Sequence, residues 1–373
     1  MKLSINRSHL ETALARVLSV VSGKTSLPIL SHVLMEAEPG QLTLTATNLD
    51  LTIRCRLQAE VTQKGAITLP AKRLAAIVRE LPQESVEIDV SANLQARIQS
   101  GASRFRVPGA GPLDFPAVGQ APAGARARLK QTDLNQLLRE IAYAQSKDEV
   151  RYVLNGALLE FKGGVVNGIA TDGRRLAKAA CALTQQPAGD ATMIVPGKTV
   201  TEILRLLGAG ESVGIAFDAQ HIAFGIATEQ DGAGLIGEIE LLSKLIQGNF
   251  PNYRQVIPKE GQQKIRLSRE GLREAVHRVA LVCTDKANIV GLKFTAQRLE
   301  ITACSPDIGE ARESLAIEFS GAPAEIGVNP LYLLDPLGAL EQDEITLGIK
   351  DGVNPLTIQN GDFTCVIMPV RLT

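Results

Sequence analysis

A chain of 373 residues, 45% hydrophobic and 21% charged, is long enough for two or three domains and too long for one ordinary core. Its 39 basic and 40 acidic side chains leave a formal net charge of −1, which excludes a protein-wide cationic surface; any basic surface must be local. Aromatic residues make up 3% and tryptophan is absent, so stacking on bases is a poor candidate for the main binding mode.

The N-terminal stretch MKLSINRSHLETAL has no long apolar segment, so no signal peptide is expected. No run approaches the ~20 apolar residues of a membrane span, and a cytoplasmic protein is the expectation. LSINRSHLETALARVL predicts a short strand, a polar turn and an amphipathic helix with Leu10, Leu14 and Val17 on one buried stripe. Strand-like runs follow in LPILSHVLMEAEPGQLTLTATNLDLTIRCRL, where QLTLTATN alternates like a strand with one wet face and EPGQ marks a tight turn. ITLPAKRLAAIVREL predicts a second helix. Hairpin strands in SVEIDVSANLQARIQSGASRFRV close the segment before DFPAV.

The same order returns twice. After the linker GQAPAGARA, RLKQTDLNQLLREIA repeats the first helix with Leu134, Leu138 and Ile141 on its stripe and Asp133 as its expected N-cap. Strands in VRYVLNGALLEFKGGVVNGIATDGRRLAKAACAL, a helix in MIVPGKTVTEILRLL, a hairpin and NFPNY complete that copy. After the polar PKEGQQ, IRLSREGLREAVHRVA opens a third copy with Leu272, Val276 and Val279. Pro70 and Pro196 are equivalent, and Asn329 holds the third place, in a helix that Asp335 and Pro336 are expected to distort. A repeat this long is a domain and not a solenoid unit. The expectation is an α+β chain of three similar domains, 1–122, 123–257 and 258–373, each with two helices packed on antiparallel sheet.

The repeat decides what the motifs mean. Gly197-Lys198-Thr199 follows a strand and opens a helix, as a phosphate-binding loop would. The glycine such a loop needs five residues earlier is Thr192, and Pro196 removes an amide. The matching segment of the first copy, LPAKRL, has no Gly-Lys-Thr. GAGLIG at 232–237 has dinucleotide-binding spacing, but the repeat puts it in a hairpin and not between a strand and a helix. No catalytic constellation, metal-ligand cluster or cofactor motif stands out, which leans towards a binding protein. The five cysteines are odd in number and form no C-x-x-C pair, so buried free thiols are expected; the four histidines are scattered.

Lys72 and Arg79 in the first copy match Lys198 and Arg205 in the second. Each pair is seven residues apart, about two turns, on the polar face of its helix. A solvated helix face carries such residues routinely. Their recurrence at one phase favours a shared surface for phosphates; the third copy, with Leu331 and Gly338 at the matched places, is expected to contribute less on that helix.

The segments SLPILSHVL, VRYVLNG, ATDGRRLA, FPNYRQVIP and VIMPVRL, in this order on a threefold repeat, resemble the bacterial DNA sliding clamps, the beta subunits of DNA polymerase III. The resemblance covers the whole chain. It implies the DNA clamp fold and a head-to-tail homodimer closed into a ring of six similar domains, helices lining the hole. It implies a non-catalytic processivity factor that encircles duplex DNA without sequence preference and tethers the polymerase. By matching position it places Lys24, Arg73, Lys198 and Arg205 towards DNA, with Lys72 and Arg79 added from the helix argument. Gly197 stands where the family often has a basic residue.

The resemblance also implies a pocket for short linear peptides of the polymerase alpha subunit, the clamp loader and other clamp-binding proteins. The matched residues are Leu154, Thr171, Gly173, Arg174, Arg175, Leu176, Pro251, Val256, Val353, Val366, Met368, Pro369, Val370 and Arg371. Gln255 and Pro355 depart from the family's usual residues there. For ring closure, Phe105 and Val107 are expected to meet Leu281 and Val282 of a second chain.

Overall fold

The computed structural model describes residues 1–21, 26–208, 210–228, 234–258, 262–284 and 288–371. The first copy contains β1 (Lys2–Asn6), α1 (Arg7–Val17), β2 (His32–Glu38), β3 (Gln41–Thr47), β4 (Leu51–Gln58), β5 (Glu60–Gln63), β6 (Gly65–Pro70), α2 (Ala71–Arg79), β7 (Ser85–Val90), β8 (Gln95–Ser100) and β9 (Ser103–Pro108). The second contains β10 (Ala125–Lys130), α3 (Gln131–Ala142), β11 (Gly156–Lys162), β12 (Val165–Thr171), β13 (Arg175–Ala182), β14 (Ala191–Pro196), α4 (Gly197–Leu206), β15 (Ser212–Phe217), β16 (His221–Ala227) and β17 (Glu238–Lys244). The third contains β18 (Gln263–Ser268), α5 (Arg269–Ala280), β19 (Val290–Thr295), β20 (Arg298–Ser305), β21 (Gly309–Ala316), β22 (Ala324–Val328), α6 (Pro330–Ala339), β23 (Glu344–Ile349), β24 (Leu356–Asn360) and β25 (Phe363–Ile367).

Each copy supplies two antiparallel ladders. The first ladders are β1-β7-β8-β9 (extended by β5), β10-β15-β16-β17 and β18-β23-β24-β25. The second ladders are β6-β2-β3-β4, β14-β11-β12-β13 and β22-β19-β20-β21. The ladders do not stay separate. β4 pairs with β17, with Leu242 opposite Thr52, and β13 pairs with β25, with Leu176 opposite Val366. Two eight-stranded sheets result, each joining one copy to the next.

The chain forms two compact units. One comprises 1–134, 183–189 and 201–245; the other comprises 135–182, 190–200 and 246–373. In the first unit, α1 buries Leu10, Ala13, Leu14 and Val17, and α2 buries Ala71, Leu74 and Val78. Each fully buried leucine or valine contributes about 1.5–3 kcal/mol. In the second unit, α5 buries Leu272, Ala275, Val276 and Val279, and α6 buries Leu333 and Leu337.

Local signals start the helices. The Asn6 side chain accepts from Ser8 N, that of Ser268 from Gly271 N, and that of Asn329 from Leu331 N, where Pro330 needs no amide partner. Asp133 is not the cap of α3: the helix starts at Gln131, so Asp133 lies in its first turn, where its charge complements the helix dipole. The Gln131 side chain instead donates to the carbonyls of Ser212 and Ala227 and accepts from Gly208 N. α6 runs on through the buried Pro336.

Only two cysteines meet the expectation of full burial. Burial pushes the Cys55 and Cys365 thiols up to about 12. Cys181 and Cys283 are partly buried, and Cys304 is exposed because it falls on the wet face of β20. Among the described residues, no helix is long and apolar enough to cross a membrane, and no group of histidine, cysteine and acidic side chains is placed to hold a metal ion.

Candidate functional site

The richest set of sequence-derived site residues lies in the second unit, around the turn from β12 to β13. Thr171 Oγ1 accepts from Gly173 N and donates to the Arg175 carbonyl, at 3.1 and 2.6 Å. Asp172 Oδ1 accepts from Arg174 N and Arg175 N at 2.9 and 3.0 Å. Gly173 has φ +85°, and an added Cβ would stand 2.7 Å from the Arg151 guanidinium, so both conformation and space require glycine. The C-terminal segment fastens onto this turn through Met368 N, which donates to the Arg174 carbonyl, and onto β22 through Val370 N, which donates to the Gly327 carbonyl.

Beneath it, Leu176 and Val366 join Leu158, Ile169, Ile194 and Tyr253 in a buried apolar cluster, with Val153, Ile246, Phe250 and Ile257 packed at its margin. Tyr253 donates to Glu160 at 2.6 Å, and Arg254 grips the same carboxylate at 2.8 and 3.1 Å while stacking on the Tyr253 ring. Burial, then the Glu160 carboxylate, push the Tyr253 phenol up to about 12. Apolar side chains remain open to solvent around it: Val256, Met368 and Val370 at about two-fifths exposure and Val353 at 81%. Asp351 shapes the turn carrying Val353 by accepting from Val353 N and Asn354 N. Arg174, Pro251 and Arg371 are exposed, Leu154 is buried, and Pro369 and Pro355 are partly buried.

Two features depart from the sequence-based picture. Arg175, matched to the pocket together with Arg174 and Arg371, is not open to solvent as those two are. It is 10% exposed, bonded to Asp172 Oδ2 (3.1 Å), Asp335 Oδ2 (2.5 Å) and the Tyr143 carbonyl (2.7 Å), and stacked between the Tyr143 and Tyr332 rings. Burial alone would lower its pKa; the Asp335 and Asp172 carboxylates outweigh burial and raise it. Sequence reasoning also missed the floor residues Leu158, Ile169 and Ile194, which lie in apolar runs that do not alternate and so show no inward face, and it missed Tyr253, which lies within the quoted FPNYRQVIP.

The basic residues divide as well. Lys72 and Arg73 are exposed on α2, and Lys198 at the start of α4. Arg79 is exposed beside Glu80. Arg205 is engaged: it donates to the Ala15 and Arg16 carbonyls and to Ser19 Oγ, and pairs with Glu202. It thus satisfies carbonyls that the end of α1 leaves without intrahelical partners. Lys24 lies outside the described residues. The Gly197 amide donates to the Asn155 carbonyl, which removes a donor that a phosphate loop would use. GAGLIG, in part outside the described residues, leads into strand β17 and not a helix.

At the first unit's edge strand β9, Phe105 is 38% exposed, but Val107 is 2% exposed. Val107 is covered by its own chain, so Phe105 alone of the two keeps substantial surface to offer. It lines an open groove of about 960 Å³ with Lys72, Arg73, Ala76 and Ile77 of α2. In the second unit, Leu281 is 70% exposed and Val282 partly buried.

Three family models match in succession: the DNA polymerase III beta subunit N-terminal domain at residues 1–119, its central domain at 128–252 and its C-terminal domain at 254–371. The chain belongs to the DNA polymerase III beta subunit family. Its function is accordingly that of a DNA sliding clamp in replication. Beta sliding clamps of Chlamydia pneumoniae and Escherichia coli are 35% and 32% identical to it; each match covers the whole of this chain, and 99% and 100% of the relative. A crystal structure of the Pseudomonas aeruginosa DNA polymerase sliding clamp with ligand superimposes with a TM-score of 0.92 at 34% identity, all of both chains being covered. That of Bacillus subtilis reaches 0.93 at 26%. The three-domain α+β clamp fold is therefore this chain's fold.

Proposed function

We propose that two copies of this chain close head to tail into a ring around duplex DNA, and that the ring acts as a non-catalytic, cytoplasmic processivity factor. One observation carries the reading. The fourth strand of a first ladder pairs with the last strand of a second ladder twice within the chain, as β17·β4 and β25·β13. The two strands of these classes left over are β9 and β21, each at the edge of its sheet among the described residues. Pairing β9 of one copy with β21 of another repeats the same junction a third time, and a heterologous contact that closes gives a ring. The exposed Phe105 and Leu281 are the apolar residues proposed to be covered there.

Exposed Lys72, Arg73, Arg79 and Lys198, with Lys24, are proposed as loose phosphate contacts. Arg205 is proposed to hold α1 in place of contacting DNA directly. Few contacts suit a clamp that slides, since each phosphate neutralised adds affinity. The apolar cluster under Met368 and Val370 is proposed to take the Leu or Phe anchors of short peptides from the polymerase alpha subunit, the clamp loader and other partners, with Arg174 and Arg371 at its rim. The test is retention after loading. The ring remains on nicked circular DNA and is lost from the same DNA once linearised; equal retention on both refutes it.

A further inference from the structure

The first unit carries a cavity outside the surfaces proposed above for DNA and peptides. It measures about 280 Å³ and lies on the ladder β10-β15-β16-β17, on the face opposite the buried Val213, Ile215 and Phe217. Its floor is two adjacent cross-strand pairs, Gly214 with Gly225 and Ala216 with Ala223. The repeat does not require this hollow. The matching pairs are Glu87 with Gln99 and Asp89 with Arg97 in the first copy, and Thr346 with Gln359 and Gly348 with Thr357 in the third.

The walls are charged and incompletely satisfied. On β10, Arg126 stands opposite Ala216 and Arg128 opposite Gly214. Neither has a carboxylate partner among the described residues; Arg128 reaches only Ser212 Oγ, at 3.5 Å. On the other side Glu238 leans over the floor so closely that a Cβ on Gly225 would collide with its Oε2. It too has no cationic partner among the described residues, whereas its neighbour Glu240 is held by Arg54 and Arg56. Positive charge on an edge strand also deters strand addition, but that role needs neither the glycine floor nor Glu238.

We propose that this cavity binds an acidic dipeptide, its ammonium on Glu238, its two carboxylates on Arg126 and Arg128, and its backbone flat on the glycine pair. Two guanidiniums against one free carboxylate call for a ligand of net charge −1. From β16, under the Glu238 carboxylate, to β10 is two strand spacings, about 10 Å. A two-residue chain spans about 7 Å, which leaves room for the guanidiniums to close on it. Smaller anions would leave Glu238 unanswered.

The test is independent of the clamp reading. The full chain, labelled with ¹⁵N-glycine, is titrated with glycylglutamate. The Gly214 and Gly225 amide signals are expected to shift saturably with a dissociation constant on the order of 1 mM, and glycylglutamine to bind at least about tenfold more weakly. Gly214→Thr installs the third copy's residue where an added Cβ meets nothing closer than 3.9 Å; it is expected to abolish the Gly225 shift. Unchanged circular dichroism and unchanged signals from its remaining glycines serve as the control for folding. No saturable shift at about 20 mM, an equal response to glycylglutamine, or an undiminished response in Gly214→Thr would each overturn the proposal.

Discussion

Arg175 ties three segments together with one guanidinium: the β12–β13 turn through Asp172, the end of the α3 segment through the Tyr143 carbonyl, and α6 through Asp335 and Tyr332. Removing it leaves two carboxylates that had been partly withdrawn from water. Arg175→Ala is expected to cost about 3 kcal/mol in urea unfolding, the low end for a broken buried pair because Asp335 is 37% exposed. A loss below about 1 kcal/mol would mean that the network carries only a surface pair's weight. Titration provides a second residue-scale prediction. Cys55, Cys365 and Tyr253 all have folded pKa values raised to about 12, against ordinary values of 9.0 for the thiols and 10.0 for the phenol. The fold favours their neutral forms, so their contribution is complete below pH 9 and is lost as pH rises towards 12. Thermal melts between these limits are expected to show falling stability. The Cys55→Ala, Cys365→Ala double variant is expected to show a shallower slope, and an unchanged slope would count against the thiols.

At the scale of elements, the two sheet junctions differ in how apolar they are, which bears on the pocket proposed at one of them. The register that sets Ile194, Leu158 and Ile169 side by side in one sheet sets Thr68, Leu34 and Thr45 side by side in the other. Leu176 opposite Val366 corresponds to Thr52 opposite Leu242. Three apolar floor positions of the second junction are thus threonines in the first. A fluorescent peptide with Leu and Phe anchors is expected to bind once per chain. Leu176→Thr is expected to weaken it by roughly tenfold or more, and Thr52→Leu to leave it unchanged; anisotropy titrations with two sites per chain would contradict this. The repeat itself was legible because helical stripes and strand alternation recur along QLTLTATN and its counterparts. The strand junctions were not. Pairing β4 with β17 depends on two edges meeting in space, and an edge strand reads like a central one. Arg175 misled for a related reason: a sequence shows an arginine beside a turn, and only the fold brings Asp335 to it.

The chain repeats one scheme three times, and among the described residues β9 and β21 are the two junction-type strands left unmatched. If β9 and β21 of two chains meet, Leu281 leaves water, and a charge placed there must be buried without a partner. In a single chain the same charge is solvated at a position already 70% exposed, so the fold tolerates it. Leu281→Asp is therefore expected to sediment as a chain of 39.8 kDa, where the parent is expected at twice that mass, and to show unchanged circular dichroism. Its retention on circular DNA is expected to fall to that on linear DNA, because a chain without its partner has no topological hold. Its peptide affinity is expected to stay within about twofold of the parent's, since every residue proposed for the pocket lies in the second unit. Loss of peptide binding together with loss of the dimer would show that the pocket depends on the closed ring, and a dimer that persists would remove Leu281 from the interface.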